Sequence, residues 1–186
     1  MVLAQLMQLR QHHIYLDESS RATRMDYVSN NDPYVYVHKG GKVISKGLEP
    51  PQSSWFYAKN GSGKYLIEAT RASFRGDFGP VISNIAHTAA ETAPYTALEW
   101  RKGGALDFKK YFGRNDFGNA WGYTMTARDV GNTMWGGHMS IGYNHLGGGY
   151  GMTAISDGIS ILSGGGFEHP RSYFMQTWGY VNQRYW

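Results

Sequence analysis

The sequence predicts an α+β fold, with N-terminal antiparallel β-hairpins packed on a glycine-rich core framed by helices. Three observations carry this reading. Runs of β-branched and aromatic residues flank glycine turns between residues 34 and 67, the pattern of hairpin strands. Apolar residues recur at helical spacing over 81–90 and 173–181. Residues 103–166 hold 17 of the 25 glycines, too many for regular elements alone. A chain of 186 residues fits one domain. Residues 1–80 form the hairpin region, either part of that domain or a delivery segment, and 81–186 form the candidate catalytic region.

Taken in order, Leu3, Leu6, Met7 and Leu9 predict a short amphipathic helix over 3–16, with His12 and His13 on its solvated face. Tyr34-Val35-Tyr36-Val37 and Val43-Ile44 flank Lys39-Gly40-Gly41-Lys42 as a first hairpin. Trp55-Phe56-Tyr57 and Tyr65-Leu66-Ile67 flank Asn60-Gly61-Ser62-Gly63 as a second. Leu48-Glu49-Pro50-Pro51 links them rigidly, and 74–80 breaks the strand pattern. Val81, Ile82, Ile85, Ala86, Ala89 and Ala90 predict a helix that Pro94 ends or kinks, with Leu98 and Trp100 continuing toward a stop at Gly103-Gly104. The glycines of 103–166, interleaved with Trp, Met, Ile and His, read as tight turns and close backbone approaches that build a pocket. Asp157–Leu162 reads as a short buried strand or helix. Pro170 suits the first turn of a last helix, with Tyr173, Phe174, Trp178 and Val181 as its apolar face.

Composition narrows the function classes. The formal charge of +4 is scattered, so a polyanionic partner is compatible but no nucleic-acid tail is present. The absence of Cys excludes disulfides and thiol catalysis. No run of about 18 apolar residues predicts a membrane span. MVLAQLMQLRQHH lacks a cationic n-region, a sustained apolar stretch and a small-residue cleavage site, so it does not read as a secretory signal. Aromatics at 15% serve either packing or a surface for carbohydrate or stacked bases. There is no dinucleotide fingerprint, Walker loop, HExxH or GxSxG, and no cofactor is expected. His138 and His145, seven apart, do not match the spacing of a metal pair, so no metal is expected either.

The candidate chemistry lies mainly between 103 and 138. Asp107 and Lys109 share one face if the segment is extended. The carboxylate then acts as general base or nucleophile and the ammonium stabilises developing negative charge; the alternative is a surface ion pair or a capping Asp. Asn119, Tyr123 and Arg128 suit a sugar, a carboxylate or a phosphate; the alternative is that Asn119 supports a turn and Arg128 packs by its stem. His138 is a candidate general base. Glu168 either pairs with Asp107 as a second carboxylate, as glycosidases require, or favours the dipole of the helix it precedes.

Several of these residues also carry a family resemblance. Trp100-Arg101-Lys102-Gly103-Gly104-Ala105-Leu106-Asp107-Phe108-Lys109, then Gly118-Asn119, then Tyr123, Thr126, Arg128 and Gly131, and finally Pro170 with Gly179 nine positions on, fall in one order over residues 83–181. In that order the chain resembles the bacterial polymorphic toxin type 44 domain, a C-terminal module of secretion-linked proteins. It departs from the pattern with Ala105 for a proline, His169 for the acidic residue before Pro170, and Tyr173 at a polar position. The resemblance adds Thr126 to the substrate-binding candidates and implies an effector toxin delivered into rival bacteria, with a cognate immunity protein. The expected activity is hydrolysis of a cell-envelope polymer, peptidoglycan first, in the periplasm. The alternatives are a metal-independent ribonuclease acting in the cytoplasm and a non-enzymatic glycan- or receptor-binding module.

Overall fold

The computed structural model describes residues 11–28, 32–50, 57–59, 65–67, 72–92, 100, 103–142, 154–158, 161 and 170–182. The fold is α+β. The chain forms two compact units, one of Met1–Gly76 with Asn115–Met125 and one of Asp77–Arg114 with Thr126–Trp186.

The first unit is built on strands. β1 (Gln11–Leu16), β2 (Ala22–Val28), β3 (Tyr34–Lys39) and β4 (Lys42–Leu48) come first in the chain. β5 (Tyr57–Lys59) and β6 (Tyr65–Ile67) make a separate antiparallel hairpin, as expected. β7 (Phe74–Asp77), β8 (Phe117–Ala120) and β9 (Tyr123–Thr126) complete a mixed seven-stranded sheet in the order β2-β1-β3-β4-β9-β8-β7. β1 pairs antiparallel with β2 but parallel with β3, and β3–β4 is the first predicted hairpin. Its turn places Gly40 and Gly41 at φ of 56° and 76°, the left-handed pair that matches the twist of a two-residue hairpin.

Two expectations need correction here. The helix predicted over 3–16 is a strand where it is described, and Leu3 to Leu9 lie outside the described residues. The reason is a period of two. His12, Ile14 and Leu16 are buried and alternate with half-buried Gln11, His13 and Tyr15, so His12 faces the interior within 3.4 Å of Glu49 rather than solvent. The segment expected to break the pattern at 74–80 supplies β7 and opens helix α1 (Gly79–Thr92). Asp77 marks the boundary by accepting the Gly79 N–H at 2.8 Å. Pro94 and Leu98 lie outside the described residues.

The sheet also closes on itself at one end. Ala22 N–H donates to Ala72 at 2.9 Å, Phe74 N–H donates to Ser20 at 2.8 Å, and Arg21 bridges Ser73 antiparallel. Asp116 reinforces the seam, accepting from Ser73 N–H at 3.0 Å and from the Arg75 guanidinium at 2.7 Å. Ile14, Val35, Val37, Ala72 and Phe117 fill the interior.

The second unit is helical. It contains α1, a 3-10 turn (Phe108–Lys110), α2 (Ala127–Gly142), a helical turn at 154–158 and α3 (Pro170–Val181). The glycine-rich stretch read as loops through 118–131 is instead the β8–β9 hairpin followed directly by α2. Thr126 starts that helix. Its Oγ1 accepts the Asp129 N–H at 3.2 Å and donates to Asp129 Oδ2 at 3.0 Å, an N-cap whose hydroxyl is held by the aspartate at the third helical position.

Glycines within α2 and α3 serve helix contact. A Cβ on Gly136 would lie 1.8 Å from the Gln176 carbonyl oxygen, and one on Gly179 would lie 2.0 Å from that of Thr133. The two backbones touch at both points. The face that α3 buries is therefore Ser172, Met175, Gln176 and Gly179, not the predicted bulky face; Val181 is 70% exposed. Large side chains on the contact would hold the backbones apart. Phe78, Phe108 and Phe112 pack as a separate aromatic trio, and Phe108 Cβ would meet a side chain at Gly131 at 3.4 Å.

Gly136→Ala is expected to destabilise the chain by about 3 kcal/mol or more, because the methyl must displace backbone rather than a flexible side chain. Gly158→Ala, where a Cβ would meet nothing within 4 Å, is expected to be neutral or mildly stabilising. Urea unfolding of the two variants beside the parent measures the difference.

Candidate functional site

The residues singled out from sequence fall in both units. Asn119 and Tyr123 belong to the strand unit, whereas Asp107, Lys109, Thr126, Arg128 and His138 belong to the helical unit. Glu168 and His145 lie outside the described residues.

Asp107 is not on an extended segment. It caps the 3-10 turn, its Oδ1 accepting Lys109 N–H at 3.1 Å and its Oδ2 accepting Gly103 N–H at 2.8 Å. Both carboxylate oxygens hold backbone, and the side chain is buried. Lys109 Nζ, on an exposed side chain, stands 4.0 Å from Oδ1. Arg128 is buried in the first turn of α2, on the face shared with Gly131, against which the 3-10 turn packs. His138 lies ten residues further along α2, about 15 Å up the axis, half-buried with its ring 5.6 Å from that of Trp100. Burial holds its pKa below the ordinary histidine value. Asn119 staples the sheet, donating to Ser45 Oγ at 2.6 Å and accepting from Thr124 Oγ1 at 3.2 Å. Thr126 spends its hydroxyl on the α2 cap. Among the described residues, no three His, Asp or Glu side chains are grouped to hold a metal ion. None of the described helices is long and apolar enough to cross a membrane.

The denser constellation sits on the outer face of β2-β1-β3-β4. Parallel pairing sets His13 beside Tyr36 and Tyr15 beside His38. Antiparallel neighbours add Arg24 beside Tyr15, Asp26 beside His13 and Lys46 beside Tyr36. The rings stand against one another. His13 stacks on Tyr36 at 5.2 Å and Tyr15 stacks on His38 at 4.7 Å. Arg24 covers the free side of this stack, 4.1 Å from the Tyr15 centroid, and Lys46 Nζ lies 3.8 Å from the Tyr34 centroid and 5.2 Å from that of Tyr36. These are cation–π contacts. Asp32 fixes the strand entry, accepting from the Tyr36 hydroxyl and the Tyr34 N–H, each at 3.1 Å.

At the centre, His13 Nδ1 meets His38 Nε2 at 2.8 Å. One imidazole donates and the other accepts, so at least one is neutral. Burial, and then the neighbouring His13, hold the His38 pKa below the ordinary value. The hydrogen bond to Tyr36 keeps Lys46 above its ordinary value. Because the ring faces are occupied by each other, what the patch offers is ring edges, with Lys46 on one side and Arg24, paired with Asp26 at 3.1 Å, on the other. Groups of this kind have the chemistry to exchange protons and to hold an anion.

Of the rings on this face, Tyr34 and Tyr36 were read as strand formers, whereas His13 and Tyr15 were expected in the helix over 3–16 and His38 was not singled out. The signal that finds them is the alternation that puts rings at His13 and Tyr15 and at Tyr34, Tyr36 and His38, with Ile14, Val35 and Val37 between them. Asp116 and Asp129, both buried, were also missed; Thr126-x-x-Asp129 is the readable sign of the second.

No protein-family model, curated protein or solved structure matches the chain.

The two depressed histidines give a pH dependence with a definite sign. The unfolded chain binds protons at His38 and His138 at a pH where the folded chain does not, so stability is full above about pH 6.5 and falls as pH drops below it. The urea midpoint is expected to be lower at about pH 5.5 than at about pH 7.5, with part of that difference removed in His38→Gln. Thr126→Ala is expected to cost about 1 kcal/mol through loss of the α2 cap, read from the same unfolding curves.

Proposed function

We propose that the chain is an effector toxin that cleaves RNA without a metal ion, working in the cytoplasm of a target bacterium and neutralised in its producer by an immunity protein. The observation that carries this reading is the His13–His38 contact at 2.8 Å on a sheet face flanked by Arg24 and Lys46. Phosphodiester cleavage needs a proton acceptor, a proton donor and positive charge for the phosphorane-like state, and the chain's own side chains provide all three within one patch. The toxin class comes from the sequence resemblance, and the mild positive charge of the chain favours a polyanionic substrate.

A hydrolase of a cell-envelope polymer is the second reading. What favours it is the buried Asp107 carboxylate with the Lys109 ammonium at 4.0 Å and Arg128 on the adjoining helix. It requires Asp107 to act while its oxygens hold Gly103 and Lys109 amides.

Expression of the chain in bacteria with and without an export signal separates the two. Growth arrest in the cytoplasm, relieved by His13→Ala, is the expected result. Arrest only on export, relieved by Asp107→Ala, would favour the envelope polymer. No arrest in either compartment would sink both and leave a binding module.

A further inference from the structure

We infer that His13 and His38 act as a single tautomeric proton relay, which cleaves single-stranded RNA by attack of its own 2′-hydroxyl. This rests on the ribonuclease reading of the same face. It starts from the direct contact between the two rings. A neutral imidazole has one N–H and one lone pair. If His13 Nδ1 donates to His38 Nε2, then His13 Nε2 carries a lone pair and His38 Nδ1 carries a hydrogen. The reverse polarity exchanges these roles. Either way, the contact leaves the pair with one basic and one acidic outer nitrogen while its net charge is zero.

The reaction follows from that polarity. The basic nitrogen, His13 Nε2 in the first tautomer, takes the proton of the ribose 2′-hydroxyl. The 2′-oxygen bonds to phosphorus and the phosphorus–O5′ bond breaks. The Nδ1 proton of His13 crosses to His38 Nε2, and His38 Nδ1 gives its proton to the departing O5′. One proton enters the pair and one leaves, no water or oxidant is consumed, and the products are a 2′,3′-cyclic phosphate and a 5′-hydroxyl. The pair ends in the opposite tautomer, and exchange with solvent resets it.

The surroundings suit this role. Tyr36 and Tyr15 stack on the two rings and hold their orientation. Lys46 brings positive charge to one side of the patch, and on the other Arg24 is paired with Asp26 at 3.1 Å. Among the described residues, the other ionisable groups on this face include Asp26 from β2, Tyr34 from β3 and Asp32 at the entry to β3. The substrate is single-stranded because a paired A-form strand holds its backbone away from the in-line attack and its bases away from the sheet.

The experiment uses the full chain with a single-stranded RNA, the same sequence as DNA, and a DNA strand containing one ribonucleotide. Expected are cleavage only after ribonucleotides, cyclic phosphate ends, activity unchanged by a chelator, and a rate that stays level from neutral pH toward the tyrosine range. His13→Ala and His38→Ala are each expected to lose about 100-fold or more in rate. Both should still bind the all-DNA strand within about threefold of the parent, which reports an intact face. A rate that falls on the alkaline side near the ordinary histidine value would overturn the relay in favour of one charged and one neutral histidine. Ends bearing a 5′-phosphate would overturn the 2′-hydroxyl attack while the ribonuclease reading survives; equal cleavage of DNA, or loss of activity with a chelator, would overturn the attack and the metal-independent ribonuclease reading together. No cleavage of RNA by a chain that binds the DNA strand would overturn the relay and that reading together.

Discussion

The parallel register between β1 and β3 is the constraint on which the candidate site rests. It alone sets His13 against Tyr36 and Tyr15 against His38. With side chains alternating at a period of two, a slip of one residue would send His12, Ile14 and Leu16 outward and bury the polar rings. The interior packing of Ile14, Val35 and Val37 therefore fixes the site from behind. The chemistry of the outer face is specified by the apolar residues of the inner one.

The helical unit is organised by a different constraint, backbone contact. Gly136 and Gly179 let α2 and α3 meet without intervening side chains, close approach of the kind small residues permit. The polar residues of that unit then serve the architecture. Asp107 gathers two amides, the Thr126–Asp129 pair opens α2, and Gln176 donates to Ser156 from the buried face of α3.

Turn chemistry and hydrophobic period made much of the fold legible. Gly40-Gly41 announced β3–β4, the run from Val81 to Ala90 announced α1, and Pro170 announced α3. Local pattern failed where long-range contact decides. Gln11–Leu16 reads equally as the end of a helix until β3 supplies its partner. The glycines of α2 read as turns because their purpose, contact with α3, lies some forty residues away. The same holds for the site. Asp107 and Arg128 attracted notice as charged residues among glycines, a pattern that capping and packing also produce. His13 and His38 are 25 positions apart, and nothing local to either of them indicates that they touch.

The seam between the ends of β2 and β7 bears on how the molecule behaves in a crowded solution. An open sheet offers unpaired amides and carbonyls at both margins, where a second chain can add a strand. Here Ser20, Ala22, Ala72 and Phe74 satisfy one another across that gap. Gly76, at φ of 73°, interrupts the regular backbone of β7 just beyond it. Self-association through fibril-like strand addition is thereby blunted at that end, and among the described residues of the strand unit the exposed large apolar side chains are Val28 in β2 and Val43 and Ile44 at the β3–β4 tip.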